Sequence, residues 1–341
     1  MNDDGNVVEQ GTSSIAKTSL LSRVAVVVPT YNAARHWRPL HAALQEQGVS
    51  ADQVLVIDSS STDDTCRLVE QAGYQLKTIS HDSFRHGATR QFAAECLPWA
   101  EILIYLTQDS LPCGANAFSS LISPFAQADV GACYGRQVPR PVAGPIERHA
   151  RLFNYPADSA IRSLSSRKQL GFRAAFFSNS FAAYRRSALM EVGGFPRNTI
   201  VSEEVTVAAR MLMAGWKVAY QAEANAIHSH PLTISQEFSR YFDIGVHHQR
   251  ESWLLREFGG AGGEGRKFVF SEARYLIQHQ WTLLPKATLR NVSKWISYQL
   301  GRHEDLLSQE MKERLSAQPH YWADERIAGH SAQSPLSEPY S

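Results

Sequence analysis

Residues 54–73 read VLVIDSSSTDDTCRLVEQAG. Four apolar residues, 54–57, run without a polar break and stop at Asp58. A run this short and unbroken is the pattern of a strand buried on both faces. From Asp63 to Ala72 the spacing turns helical, with two acids in the first turn and Gly73 as a stop. Ser61 or Thr62 stands where an N-cap is expected. Strand, polar loop and helix in direct succession make half of a βαβ unit, which predicts a parallel sheet.

The unit recurs on both sides. Residues 24–28 form another Val-rich run, followed by helical spacing of Trp37, Leu40, Ala43 and Leu44 within 35–47. Residues 76–79 and 102–106 read as two more strands, with a helix over 87–97 between them. The expected class is therefore α/β, Rossmann-like, with a mostly parallel sheet and helices on both faces. In such sheets ligands bind beyond the carboxyl ends of the strands. Polar clusters fall there: PTYN at 29–32, DSSSTDDT at 58–65 and TQDS at 107–110. In the last, the strand ends beside one acid, Asp109, with Thr107 where a second could stand. A solvated loop and a metal site both fit that pattern.

Farther on the periodicity loosens. A helix is expected at SLISPF, a strand at GACYGRQVPRP, and little regularity over 140–175. FFSNSFAAYRRSALMEVGGF predicts strand, short helix and turn; SEEVTVAARMLMAGWKVAY predicts helix, glycine stop and strand. Further helices are expected over 234–258 and 286–302, a disordered arm over 1–22, and a disordered tail over 329–341.

Bulk properties bound the function. With 341 residues and a formal net charge of +1, the chain carries no global field favouring nucleic acid. Four scattered cysteines without a CxxC pair read as reduced thiols, so a cytoplasmic location is expected. No stretch approaches the ~18–20 apolar residues needed to span a bilayer. The first strand is followed by PTYNAARH, with no GxGxxG, which argues against a dinucleotide-dependent oxidoreductase. The Gly-rich, Lys-bearing first loop of a sugar-nucleotide-forming enzyme is also missing.

Ten segments in order resemble the family-2 glycosyltransferases of the GT-A fold, with a closer likeness to bacterial rhamnosyltransferases. They are VVVPTYNA, VLVIDSSSTDDT, FRHGATRQ, YLTQDSLP, YGRQVPRP, FFSNSFAAYRR, VGGFP, VSEEVTVAARMLMAGWKVAY, IHSHPLT and RYFDIG, and the likeness covers roughly residues 23–322. It implies a catalytic domain over 23–232 and a C-terminal helical extension over 233–328. It implies inverting transfer of a sugar from a nucleotide-sugar donor, with L-rhamnose from dTDP-L-rhamnose expected, onto a glycan or lipid-linked glycan acceptor.

The resemblance also assigns roles. Pro29, Thr30 and Tyr31 are expected at the nucleoside, with Asp58 accepting from the pyrimidine N3–H. His86, Gly87 and Arg90 occupy a helix start suited to a diphosphate. Gln108 and Asn179 are expected at the donor, although Asn179 could also meet acceptor hydroxyls. Asp109, the last acid of the family's D-x-D element, is expected to bind Mg2+ or Mn2+. One of His228 and His230 is expected to join it, the other serving as an ordinary core or surface residue. Glu204 stands where the family has its catalytic base, usually Asp, with Glu203 as the alternative. Asp63 and Asp64 read as a solvated first turn, and Arg185, Arg186 and Trp216 as structural. The departures at Thr107 and Glu204 also admit a non-enzymatic, sugar-binding relic of the fold.

In 286–302, Leu289, Val292, Ile296 and Leu300 form an amphipathic stripe, accompanied by Trp295, Lys286, Arg290 and Lys294. Two readings stay open: the stripe packs on the catalytic domain, or the helix makes peripheral contact with an anionic membrane, on the cytoplasmic face of the inner membrane.

Overall fold

The computed structural model describes residues 20–260 and 262–323. The expected tail over 329–341, and the expected arm over 1–22 as far as residue 19, lie outside them. A nine-stranded sheet organises the chain in the order β3-β2-β1-β4-β8-β6-β9-β5, with β7 also paired to β9. The strands are β1 (Val24–Thr30), β2 (Val54–Asp58), β3 (Gln75–Thr78), β4 (Ile102–Leu106), β5 (Leu111–Pro112), β6 (Val130–Val138), β7 (Ala160–Arg162), β8 (Phe181–Arg185) and β9 (Lys217–Ile227). β1–β4, β6 and β9 share one direction; β5, β7 and β8 oppose it.

Period-two alternation explains why the central strands are apolar throughout. Ala25, Val27, Leu55, Ile57, Leu103 and Tyr105 join the core on one face. Val24, Val26, Val54, Val56, Ile102 and Ile104 join the core on the other. Helices α1 (Ala34–Gln45), α2 (Thr65–Gln71) and α3 (His86–Cys96) follow the first three strands. β3 is less buried than its neighbours because it is the sheet edge.

The 58–65 loop differs from expectation. Ser61 does not cap α2; its amide and hydroxyl both donate to Asp58, at 2.7 and 2.6 Å. Asp63 is exposed, as expected, but it is not idle. Its carboxylate accepts from the Ala34 amide at 3.1 Å and the Thr65 amide at 3.0 Å, tying α1 to α2. Asp64 keeps the solvated role, pairing with Arg67 at 3.0 Å.

Beyond β6 the irregular reading of 140–175 is corrected by α4 (Pro145–Asn154). Its start is a proline at the first turn, a signal of position rather than periodicity. α5 (Glu203–Met213) leads into β9. Three long helices follow: α6 (Ile234–Arg250), α7 (Gly262–His279) and α8 (Leu284–Arg302). α7 carries no glycine stop or heptad and was not foreseen.

α6 and α8 cross at a close approach of two glycines. A Cβ on Gly301 would meet the Phe242 carbonyl at 2.1 Å, and one on Gly245 the Tyr298 carbonyl at 2.3 Å. α8 therefore buries its small residues, Ala287, Ser297 and Gly301. Leu289, Val292 and Ile296, the core of the expected packing stripe, are exposed instead. Arg290 and Lys294 turn inward and pair with Glu237 at 2.8 and 3.3 Å. No described helix is long and apolar enough to cross a membrane.

Candidate active site

A cleft of about 630 Å³ opens at the carboxyl edge of the sheet. Its lining brings together Arg90, Asp109, Asn179, Glu204, His228 and Arg240, with Gln318 contributed from beyond α8. Sequence positions more than 200 apart thus share one cavity.

One wall is the start of α5. Ser202 precedes it in the left-handed region (φ 61°). That conformation is sparsely populated for a residue with a Cβ. Glu203 is almost fully buried, and its Oε1 accepts from Arg90 at 2.6 Å and from Asn179 Nδ2 at 3.0 Å. Tyr184 donates to Asn179 Oδ1 at 2.6 Å, and Tyr105 to the Arg90 carbonyl at 2.9 Å. Burial pushes the Glu203 carboxyl up, but the Arg90 guanidinium leads the opposing influences and the net displacement is downward, so Glu203 stays ionised. Glu204 lies beside it without such a partner cation in contact. Burial first and the Glu203 charge second push it up to about 8. His86 borders the same wall, and burial pushes its imidazole down to about 4.

The opposite wall holds Asp109, just past β4, and the two histidines just past β9. His228 Nε2 lies 3.5 Å from Asp109 Oδ1, and His230 Nε2 lies 3.0 Å from Asp109 Oδ2. The two Nε2 atoms are 3.2 Å apart. Both histidines therefore face the carboxylate, correcting the expectation that one would be a bystander. They leave the strand end together, and two residues apart they project alike.

Gln137 of β6 sets the orientation. Its Oε1 lies 3.0 Å from His228 Nδ1, and its Nε2 donates to Ser178 Oγ at 2.8 Å. An Nδ1–H donated to Gln137 leaves Nε2 as a lone pair. Burial lowers the His228 pKa, which favours that neutral form. A lone pair placed beside a carboxylate oxygen and a second imidazole is a donor set for a cation. The donors of Asp109, His228 and His230 all lie within 4.8 Å of one another, so the set fits a divalent metal. Gln137 was missed at the level of sequence; its one signal was a buried polar side chain within an apolar strand.

Other expected site residues are already engaged. Arg90 pairs with Glu203 through Nη1 and keeps an unpartnered Nε, while Asn179 is bridged on both sides; both still line the cleft. Gly87 does permit a close approach, but the approaching group is protein: a Cβ there would meet the Pro196 carbonyl at 1.9 Å. Gln108 braces two loops, accepting from the Tyr31 amide at 2.8 Å and donating to its carbonyl at 3.2 Å. Pro29 and Thr30 lie within β1, and Thr30 Oγ1 donates to Asp58 at 2.9 Å. Asp58 is fully buried, with contacts to Thr30 and Ser61 on its oxygens, so a base N3–H would reach it only after residues 59–61 shift. Tyr31 is exposed and stacks on His81 with ring centroids 4.3 Å apart.

A pushed-up carboxyl and a cation-compatible triad share one cleft at the carboxyl edge of an α/β sheet, a combination that suits group transfer from an anionic activated donor. Residues 102–297 match glycosyl transferase family group 2. O-antigen chain rhamnosyltransferase WbaN of Salmonella anatum is 42% identical over 298 residues, covering 87% of this chain and 95% of the relative. O-antigen chain rhamnosyltransferase RfbN of Salmonella typhimurium is 40% identical over 301 residues, covering 88% and 96%. Among solved structures, the mannosyltransferase PcManGT of Pyrobaculum calidifontis, in complex with GDP-Man and Mn2+, aligns with a TM-score of 0.52 at 20% identity, covering 92% of this chain and 88% of that one. S. aureus TarS 1–349 with UDP-GlcNAc aligns with a TM-score of 0.50 at 14% identity, covering 91% and 92%. Those two likenesses concern the fold, which is of the GT-A type. The chain belongs to glycosyl transferase family group 2: it is a glycosyltransferase, similar to rhamnosyltransferases of O-antigen synthesis.

Proposed function

We propose that the chain transfers L-rhamnose from dTDP-L-rhamnose, with inversion, to a hydroxyl of a glycan or lipid-linked glycan in cell-surface polysaccharide synthesis. The names of the curated relatives support the sugar. The observation that carries the chemistry is the division of labour within the acid pair: Arg90 and Asn179 occupy Glu203, while Glu204 lines the cleft.

The acceptor oxygen attacks the anomeric carbon while the bond from that carbon to the diphosphate oxygen breaks. Glu204 takes the hydroxyl proton, and the electron pair leaves with dTDP. A base pushed up to about 8 is well matched to such a transfer near neutral pH. Asp109, His228 and His230 would hold the divalent ion, Mg2+ or Mn2+, which supplies positive charge to the leaving diphosphate. Imidazole donors suit Mn2+ better. Gln137 keeps His228 oriented, and Tyr31 offers an exposed ring to the nucleobase beside the loop that Asp58 braces.

Thermal shift with a panel of nucleotide sugars tests this reading. dTDP-L-rhamnose should stabilise the chain most, more so with Mn2+, and Asp109→Asn should abolish the metal enhancement. An equal shift with GDP- or UDP-sugars would remove the donor assignment; an undiminished metal effect in the variant would remove the metal site. Absence of dTDP release with every glycan acceptor would favour the relic reading.

A further inference from the structure

The hairpin of α7 and α8 has an outer surface that the catalytic site does not explain. The two helices are joined side by side by Asn291 Nδ2, which donates to Glu272 Oε2 at 2.6 Å. Each turns its polar links inward and its large apolar side chains outward. On α8, Leu289, Ile296 and Trp295 are exposed; on α7, Phe270 is 75% and Ile277 63% exposed. Trp281, at the connection between the helices, is 69% exposed. On α7 the sequence Arg266, Phe270, Arg274, Ile277 runs at i, i+4, i+8, i+11, one stripe of alternating cation and apolar residue. Arg266, Arg274 and Lys286 are exposed.

The free charge of the hairpin itself has one sign. Within 262–302 there are two acids, Glu264 and Glu272. Glu264 is paired with Lys267 at 2.7 Å and Arg173 at 3.2 Å; Glu272 is buried against Asn291. No described acid of the hairpin is left to complement the exposed cations. A two-fold contact with a second copy would set the patch against itself, cation against cation. An anionic lipid surface complements it: tryptophan and phenylalanine enter the headgroup region, and basic side chains meet lipid phosphates. Arg290 and Lys294 take no part, being held by Glu237 on the inner side.

We propose that the outer surface of the α7–α8 hairpin docks the enzyme on an anionic bilayer. The inner side of α8 rests on residues 232–237 through Arg290, Lys294, Leu232 and Glu237, and Leu232, Ser235 and Gln236 of that segment line the cleft. The bilayer contact therefore lies one helix away from the site of transfer. The docking stands whether or not the donor and acceptor proposed above are right.

Flotation of the full chain with vesicles of phosphatidylethanolamine and phosphatidylglycerol, against phosphatidylcholine alone, tests it. Binding to the anionic vesicles is expected at about 0.1 M salt, weakening as salt rises. Trp281→Ser with Trp295→Ser should reduce it at least ~10-fold. Arg274→Gln with Lys286→Gln should reduce it on anionic vesicles only. All four positions are exposed, so circular dichroism and turnover of a water-soluble acceptor should match the parent. Absence of vesicle binding at low salt, or binding unaltered by the tryptophan changes, overturns the proposal. A dimer in light scattering that the tryptophan changes dissociate would assign the surface to a second copy instead.

Discussion

The two walls of the cleft are made of similar groups held in opposite electrostatic states. On the α5 wall, Glu203 meets a fixed cation, Arg90, and a fixed amide, Asn179, each held in turn by a buried tyrosine. On the β9 wall, Asp109 meets two imidazole nitrogens, and one of these is fixed as a lone pair by Gln137. In the first wall the carboxylate finds its counter-charge within the protein. The second gathers a carboxylate and two imidazoles whose donor atoms converge. A carboxylate that the chain neutralises itself becomes structural, and a carboxylate surrounded by further acceptors becomes a site. By the same logic Glu204, next to Glu203 but without a contacting cation, is the acid of the pair we propose as the base.

The comparison breaks most sharply at Glu204. Glu204→Gln should slow transfer by ~10²–10⁴, the usual contribution of a general base, and leave dTDP binding intact. Single-turnover kinetics beside a binding titration checks this. If Glu203→Gln has the larger effect on rate, the two roles are reversed.

The α5 wall should fail through stability instead. Arg90→Leu strands a buried carboxylate, and removal of one partner from a buried pair costs roughly 3–5 kcal/mol. Urea unfolding should show a lowered midpoint with an unaltered slope. A loss under about 1 kcal/mol would mean that Glu203 is less enclosed than its contacts indicate.

A smaller effect is expected one step behind the β9 wall. Gln137→Ala removes the acceptor for His228 Nδ1 and should weaken Mn2+ affinity by ~10–100-fold, as loss of an outer partner of a liganding histidine does. Gln137→Glu, which still accepts from Nδ1, should restore affinity. Because Gln137 is a positioning residue, the test is metal affinity by calorimetry, with Asp109→Asn as the reference for complete loss.

Much of this was legible in the sequence, for identifiable reasons. β1, β2 and β4 were readable because both faces are buried, so nearly every residue had to be apolar. Asp109 was readable because a lone acid at a buried strand end is uncommon chemistry. Of the two readings open for α8, packing of the stripe fails because a helix can bury glycine as readily as leucine. Its stripe was found in the right place, but the Gly245–Gly301 approach decided which side faced inward, and that contact joins residues 56 positions apart. Gly87 drew a ligand reading from local position, but the group it meets, Pro196, is more than 100 residues away, as is Glu203, the ion-pair partner of Arg90. Local patterns report the element and its end. They do not report which distant group has already satisfied a side chain.

The finest test of the comparison concerns the coupling between the adjacent glutamates. Glu204 is pushed up first by burial and second by the negative charge of Glu203. A base is active when deprotonated, so kcat/KM of the parent should rise with pH through the region of about 8 and level off above it. Glu203→Gln keeps an oxygen for Asn179 and removes the charge. Arg90, no longer neutralised, then also favours the ionised form of Glu204. Both changes act in one direction, so the limb should move to lower pH, by about one unit, the size of a typical single-charge effect at this distance. The variant should therefore gain on the parent at pH 6–7 relative to pH 9, whatever its absolute rate. Circular dichroism at each pH separates this from unfolding. A limb that stays in place would mean that burial alone sets the base, and a limb that moves up would mean that Glu203 had been supplying a proton rather than a charge.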